Sequence, residues 1–174
     1  METATKNPYA VKNVKSFQAR EGMGFECSLY KDGKRIGTVT DVCNGGGVLQ
    51  MYLNDGEEDA LYEYCKTLPQ IEAKIPKEPA PRDGEYTGEY EEFSYDNDPC
   101  IFVGGLVDKF EADARLKKQC KTKTLVEVEE NGKTETYVYK CKFSLAIKKQ
   151  IKDRDYPDTD IVFVNERYLH EKYL

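Results

Sequence analysis

Two dipeptides, Asp32-Gly33 and Asn131-Gly132, constrain the fold of this 174-residue chain more than any other feature. Each lies between runs of strand-forming residues, and each suits a tight hairpin turn, which requires positive φ. Before the first turn Phe25, Cys27 and Leu29 alternate with Glu26 and Ser28, the period of a strand with one face in a core. After it Ile36 and Val39, with Thr38 and Thr40, form the return strand. Leu125, Val126 and Val128 precede the second turn, and Thr134 to Cys141 follows it. Antiparallel pairs at both ends of the chain predict an α+β protein with two hairpin-based units.

The first unit is expected over residues 10–68, after a flexible tail at 1–9. Val11, Val14 and Phe17 permit an early strand, and Val48 to Leu53 reads as a further one. Asn54 or Asp55 can cap a helix whose first turn holds Glu57, Glu58 and Asp59, where the helix dipole favours negative charge. Ala60, Leu61, Tyr64, Cys65 and Leu68 share one face of that helix, and Pro69 ends it. The expected unit is an antiparallel β-meander with a covering helix.

Residues 69–98 read as a linker. Pro69, Pro76, Pro79 and Pro81 punctuate its first part. From Asp83 to Asp98 it carries seven acids and no Lys or Arg, interleaved with tyrosines. The last unit, 99–174, is expected to be a helix–hairpin–helix–strand arrangement. Leu106, Val107, Phe110 and Ala114 mark its first helix, Ser144 caps a second, Ile161 to Val164 is a strand, and Asn165 caps a last helix.

The residue inventory argues against catalysis and metal binding. His170 is the single histidine, so no His cluster can form, and the six cysteines include no C-x-x-C pair. Asp153, Asp155, Asp158 and Asp160 are dense, but Pro157 and Asp158 occupy the positions where an EF-hand loop needs a ligand and a glycine. No cofactor is expected. Residues 1–15 lack the apolar run of a secretory signal, and the longest apolar stretch, 101–107, is far short of a membrane span. These features lead to the expectation of a soluble cytoplasmic protein with reduced thiols.

Charge separates the binding hypotheses. Residues 1–99 hold 19 acids against 11 bases, and residues 100–174 hold 13 against 15. An acidic front half repels nucleic acid, so direct nucleic-acid binding is not expected. The leading candidate surface is the acidic, tyrosine-laced segment: Asp83, Glu85, Tyr86, Glu89, Tyr90, Glu91, Glu92 and Tyr95. Its carboxylates favour basic surfaces, and tyrosine gives large contact area at small entropic cost. The alternative is a small-ligand or signalling-nucleotide site, with Gly45, Gly46 and Gly47 offering backbone N–H groups and Arg115 and Lys118 offering charge.

The run Gly24-Phe25-Glu26-Cys27-Ser28-Leu29-Tyr30-Lys31-Asp32-Gly33-Lys34, the later Asn44-Gly45-Gly46, the stretch Leu116 to Leu125, and Asn165-Glu166 resemble small uncharacterised α+β proteins encoded by bacteria and their phages or prophages. The resemblance spans most of the chain apart from the tail and the acidic linker. It implies an accessory protein of a mobile element, a setting in which inhibitors of host defence are common, and it assigns no activity or site residue. The functional expectation is a non-enzymatic binding protein that occludes a host defence or nucleic-acid-processing complex.

Overall fold

The computed structural model describes residues 7–44, 49–77, 88–130 and 132–169. The architecture is mixed α+β, and the chain divides into two compact units, Met1–Phe110 and Glu111–Leu174.

The first unit is built on a four-stranded antiparallel meander of β1 (Tyr9–Gln18), β2 (Met23–Lys31), β3 (Lys34–Asp41) and β4 (Leu49–Leu53), paired in that order. The β2–β3 turn is as the sequence demands: Asp32 and Gly33 both take positive φ, 49° and 80°. Along β2, Phe25, Cys27 and Leu29 point into the core while Glu26 and Tyr30 point away. Two bulges disturb its neighbours. In β1 the register slips between Lys12 and Lys15, where Asn13 sits at φ 54°. In β3 it slips opposite Leu29 and Tyr30, so that both Ile36 and Gly37 intervene between Arg35 and Thr38. A Cβ on Gly37 would lie 2.2 Å from the carbonyl oxygen of Tyr52, so only glycine allows β4 to approach there. The first bulge also explains the three-residue spacing of Val11 and Val14, which both pack on the core side.

Helix α1 (Glu57–Lys66) and the first half of α2 (Pro99–Cys120) supply the rest of this core. Leu61, Cys65, Val103 and Val107 are buried with Leu29 and Val39. Tyr9, Tyr64 and Phe102 form an aromatic trio with ring centroids 5.0–5.8 Å apart. Tyr9, assigned to the tail from sequence, therefore opens β1 and is buried. Gly56, rather than Asn54 or Asp55, is the N-cap of α1; it is left-handed, and no side chain bonds the helix end. At α2, Asp98 Oδ1 accepts from the Ile101 N–H at 2.9 Å and Pro99 occupies the first turn, so Ile101 to Val103 is helix. The division between the units falls inside α2, beyond its start at Pro99, because Val103 and Val107 pack with the first core.

The stretch read as a linker contains a second sheet. Strand β5 (Ile71–Pro76) pairs antiparallel with β6 (Tyr90–Tyr95). The lysines that pair with acids in and just before β6 come from the preceding segment: Lys74 pairs with Glu92, and Lys77 with Glu89 at 2.7 Å. The base is tied by Gln70 Nε2 donating to Asp96 Oδ1 (2.8 Å) and Asn97 Nδ2 donating to the Pro69 carbonyl (2.7 Å).

In the second unit β7 (Thr124–Glu130) lies between β8 (Lys133–Tyr139) and β9 (Ile161–Phe163), antiparallel to both. Gly132 takes φ 73° beside the β7–β8 turn; Asn131 lies outside the described residues. Helix α3 (Leu145–Asp155) starts at Ser144, whose Oγ accepts from the Ile147 N–H at 3.3 Å. Its Ile151 packs with Val126, Val128, Phe143 and Phe163. On the opposite face of β7, Leu125 packs with Cys120 and Val164.

Asn165 departs from its expected role. The last helix, α4 (Asn165–Tyr168), is one turn capped by Val164 without a side-chain bond. The Asn165 side chain is fully buried and faces inward. Its Oδ1 accepts from the Leu125 N–H at 2.8 Å, and its Nδ2 donates to the carbonyls of Cys120 (3.1 Å) and Lys123 (2.7 Å). One amide thus satisfies three backbone groups where α2 ends and β7 begins. Replacing Asn165 with Leu leaves these groups without that partner, and we expect a loss of about 3–5 kcal/mol. Urea unfolding followed by circular dichroism measures it, and a loss under about 1 kcal/mol would contradict this role.

Candidate functional site

The hairpin β5–β6 carries the described part of the acidic, tyrosine-laced segment. Residues directly opposite in an antiparallel pair share a face, so the register sorts the side chains. One face bears Ile71, Ala73 and Ile75 from β5 with Tyr95, Phe93 and Glu91 from β6. The other bears Glu72, Lys74 and Pro76 with Ser94, Glu92 and Tyr90. The first face is apolar and largely open: Ile75 is 47 % exposed, Phe93 41 % and Tyr95 37 %. Phe93 and Tyr95 stack with centroids 5.6 Å apart and planes 25° apart. None of these side chains belongs to a described core cluster.

The second face is charged. The Lys74 ammonium beside Glu92 holds its carboxyl below the usual range, first through their hydrogen bond and then through charge attraction. A depression of about 460 Å³ lies against the hairpin, lined by Glu72, Lys74, Glu92 and Ser94 with Ala73 and Phe93. Its carboxylates suit a guanidinium or ammonium.

Of the expected partner-binding residues, Glu89, Tyr90, Glu91, Glu92 and Tyr95 are on or beside β6; Asp83, Glu85 and Tyr86 lie outside the described residues. The hairpin divides the described ones between its faces, with Glu91 and Tyr95 on one and Tyr90 and Glu92 on the other. The candidate set from sequence holds none of Ile71, Ala73 and Ile75 and leaves out Phe93, an aromatic of the acidic segment, although the period of two through 71, 73 and 75 is a readable strand signal. For the alternative site, Gly45, Gly46 and Gly47 lie outside the described residues. Arg115 and Lys118 are exposed on α2.

Asp155 is occupied structurally: Arg154 donates to it at 2.6 and 2.9 Å, and Tyr139 Oη donates at 2.9 Å. Among the described residues, no three His, Cys, Asp or Glu side chains gather as a metal site. No described helix is long and apolar enough to cross a membrane. No family model, curated protein or solved structure matches the chain.

The cysteines are all free, and Cys27, Cys65 and Cys120 are buried. Burial pushes the thiols of Cys27 and Cys65 up to about 11, reinforced by Glu26 and Asp98 respectively, and also raises Cys120. The attacking species is the thiolate, so burial makes these side chains poor nucleophiles. At pH 8 we expect Ellman's reagent to label Cys27 and Cys65 at least about 100-fold more slowly in the native protein than in denaturant. Their raised native pKa values also fix a sign. Their contribution to stability is full below pH 9, where unfolded thiols begin to ionise, and falls away as pH rises toward 11. Thermal melts across that range should show Tm decreasing.

Proposed function

We propose that this chain is a non-enzymatic binding protein that captures a partner protein through hairpin β5–β6. The observation that carries this reading is the open apolar face of Ile75, Phe93 and Tyr95 on a two-stranded ribbon. Folding normally removes such surface from water, and an open apolar patch rimmed by charge suits association. The exposed fractions of these three side chains amount to roughly 250 Å² of apolar area. At ~25 cal/mol per Å², covering it contributes about 6 kcal/mol before the costs of association. An anchor of that size needs a complementary rim, and the Glu91 carboxylate on the same face favours a partner with a basic side chain beside an apolar cleft. The resemblance to proteins of bacteria and their phages extends this reading to an inhibitor that occludes a host defence or nucleic-acid-processing complex.

Affinity capture from bacterial lysate, with and without nuclease, compares the wild-type chain with an Ile75→Ser/Phe93→Ser double variant. We expect a nuclease-resistant protein partner to be retained by the wild type and lost, by at least about tenfold, with the double variant. The variant's Tm should stay within about 2 °C of wild type, because these side chains lie outside the core. Equal capture by both proteins would remove the hairpin from the interface.

A further inference from the structure

The face of the β1–β4 sheet that points away from α1 is a second, differently constituted surface. The register places Lys12, Ser28, Thr38 and Tyr52 in one row across the four strands. Lys15, Glu26, Thr40 and Gln50 form the next row, and Ala10, Tyr30 and Arg35 lie on the other side of the first. Three cations thus share this face with one carboxylate, Glu26, which already faces Lys15 at 3.7 Å. Tyr52 is 69 % exposed, and the Lys12 ammonium sits 4.4 Å above the Tyr30 ring, confirming that both project from the same side. Thr38 and Thr40 are half-buried between strands, and Gln50 is exposed at the margin.

The two bulges create this grouping. Without the extra residue in β1, strict alternation would turn either Lys12 or Lys15 toward the core. Without the extra residue in β3, Arg35 and Thr38 would face opposite ways. Both irregularities therefore return cationic or hydroxyl side chains to one surface. The acidic balance of residues 1–99 conceals it: residues 10–40 alone hold six Lys or Arg against three Asp or Glu.

We propose that this sheet face binds single-stranded RNA. The exposed Tyr52 ring offers a stacking platform for an unpaired base, and neighbouring cations neutralise the phosphates that run past it. A four-stranded sheet face of this size accommodates two or three splayed bases. Hydroxyl and amide groups at Thr38, Thr40 and Gln50 suit a ribose 2′-OH, which both donates and accepts hydrogen bonds. That complementarity favours RNA over DNA, whereas a flat tyrosine-bearing surface does not suit the deep groove of a duplex.

The test is fluorescence anisotropy with a fluorescein-labelled, mixed-sequence single-stranded RNA of about 12 nucleotides, sized to cover the two or three bases the face holds. Neutralisation by three cations predicts a salt slope near −2, so raising salt from about 50 to 200 mM weakens binding roughly 20-fold. Tyr52→Ala should weaken binding about 5- to 100-fold with the salt slope unchanged. Lys12→Gln/Lys15→Gln should flatten the slope until the same salt change costs only about threefold. DNA of the same sequence should bind at least about threefold more weakly. All three side chains are exposed, so these variants keep the wild-type fold, which circular dichroism verifies. The Ile75→Ser/Phe93→Ser variant should bind RNA like wild type, separating this surface from the hairpin. Absence of binding at about 100 μM protein, far above the Kd of an adequate stacked and paired site, overturns the proposal. So does equal affinity for DNA, indifference to Tyr52→Ala, or loss of binding in the hairpin variant.

Discussion

The register of β2 against its two neighbours decides what the first unit buries and what it shows. β2 lies inside the sheet, paired on both edges, so each slip beside it redirects a row of side chains. Asn13 absorbs one slip in the left-handed region, which asparagine tolerates better than most residues. Its amide also donates to Ser28 Oγ at 3.4 Å, linking the bulge to the central strand. Gly37 absorbs the other where β4 comes too close for any side chain. These two positions let Val11, Val14 and Ile36 reach the core while Lys12, Lys15 and Arg35 remain outside. Core formation and the cationic outer face are consequences of the same backbone choice.

The second unit solves a different problem. Its sheet has three strands, one only three residues long, and small sheets leave many backbone groups near their ends. The Asn165 side chain is fully buried where α2 turns into β7, beside Leu125 and Val164, so the backbone groups it meets are served from inside the fold. Asn165 serves three of them. An amide suits this place because it both donates and accepts; Asp would present oxygen to two carbonyls, and Leu would offer neither function. A buried polar residue fully matched to its neighbours also specifies how the chain closes, since few alternative packings provide the same three partners.

Local signals were legible where a single residue determines the geometry. Asp32-Gly33 announces a turn because few pairs accept two positive φ values, and Ser144 announces a helix start because its hydroxyl fits the N–H three residues on. The strand pattern of β2 was readable because one of its faces is buried. What remained hidden depends on residues distant in sequence. Lys74 and Lys77 precede their partners Glu92 and Glu89 by 18 and 12 positions, so a charge count along the chain sees a linker where the fold makes cross-strand pairs. Asn165 looked like a cap because Asn usually is one, and its distant partners Cys120, Lys123 and Leu125 could not be inferred from local spacing. The spacing of Val11 and Val14 contained the β1 bulge, but a period of three is ambiguous until the partner strand is known.

The hairpin gains little stability from its open face. A two-stranded ribbon alone is marginal in water. Its ion pairs are exposed, and such pairs contribute little once solvent and salt screen them. At its base Gln70 meets Asp96 and Asn97 meets Pro69. Toward the tip, Ile75 and Phe93 gain little from the fold because they remain substantially exposed. Burial would stabilise them, while replacing them with polar residues would cost the isolated protein little. An apolar stripe of that kind is expendable for stability, so a loss of association on replacing it would report on binding and not on folding.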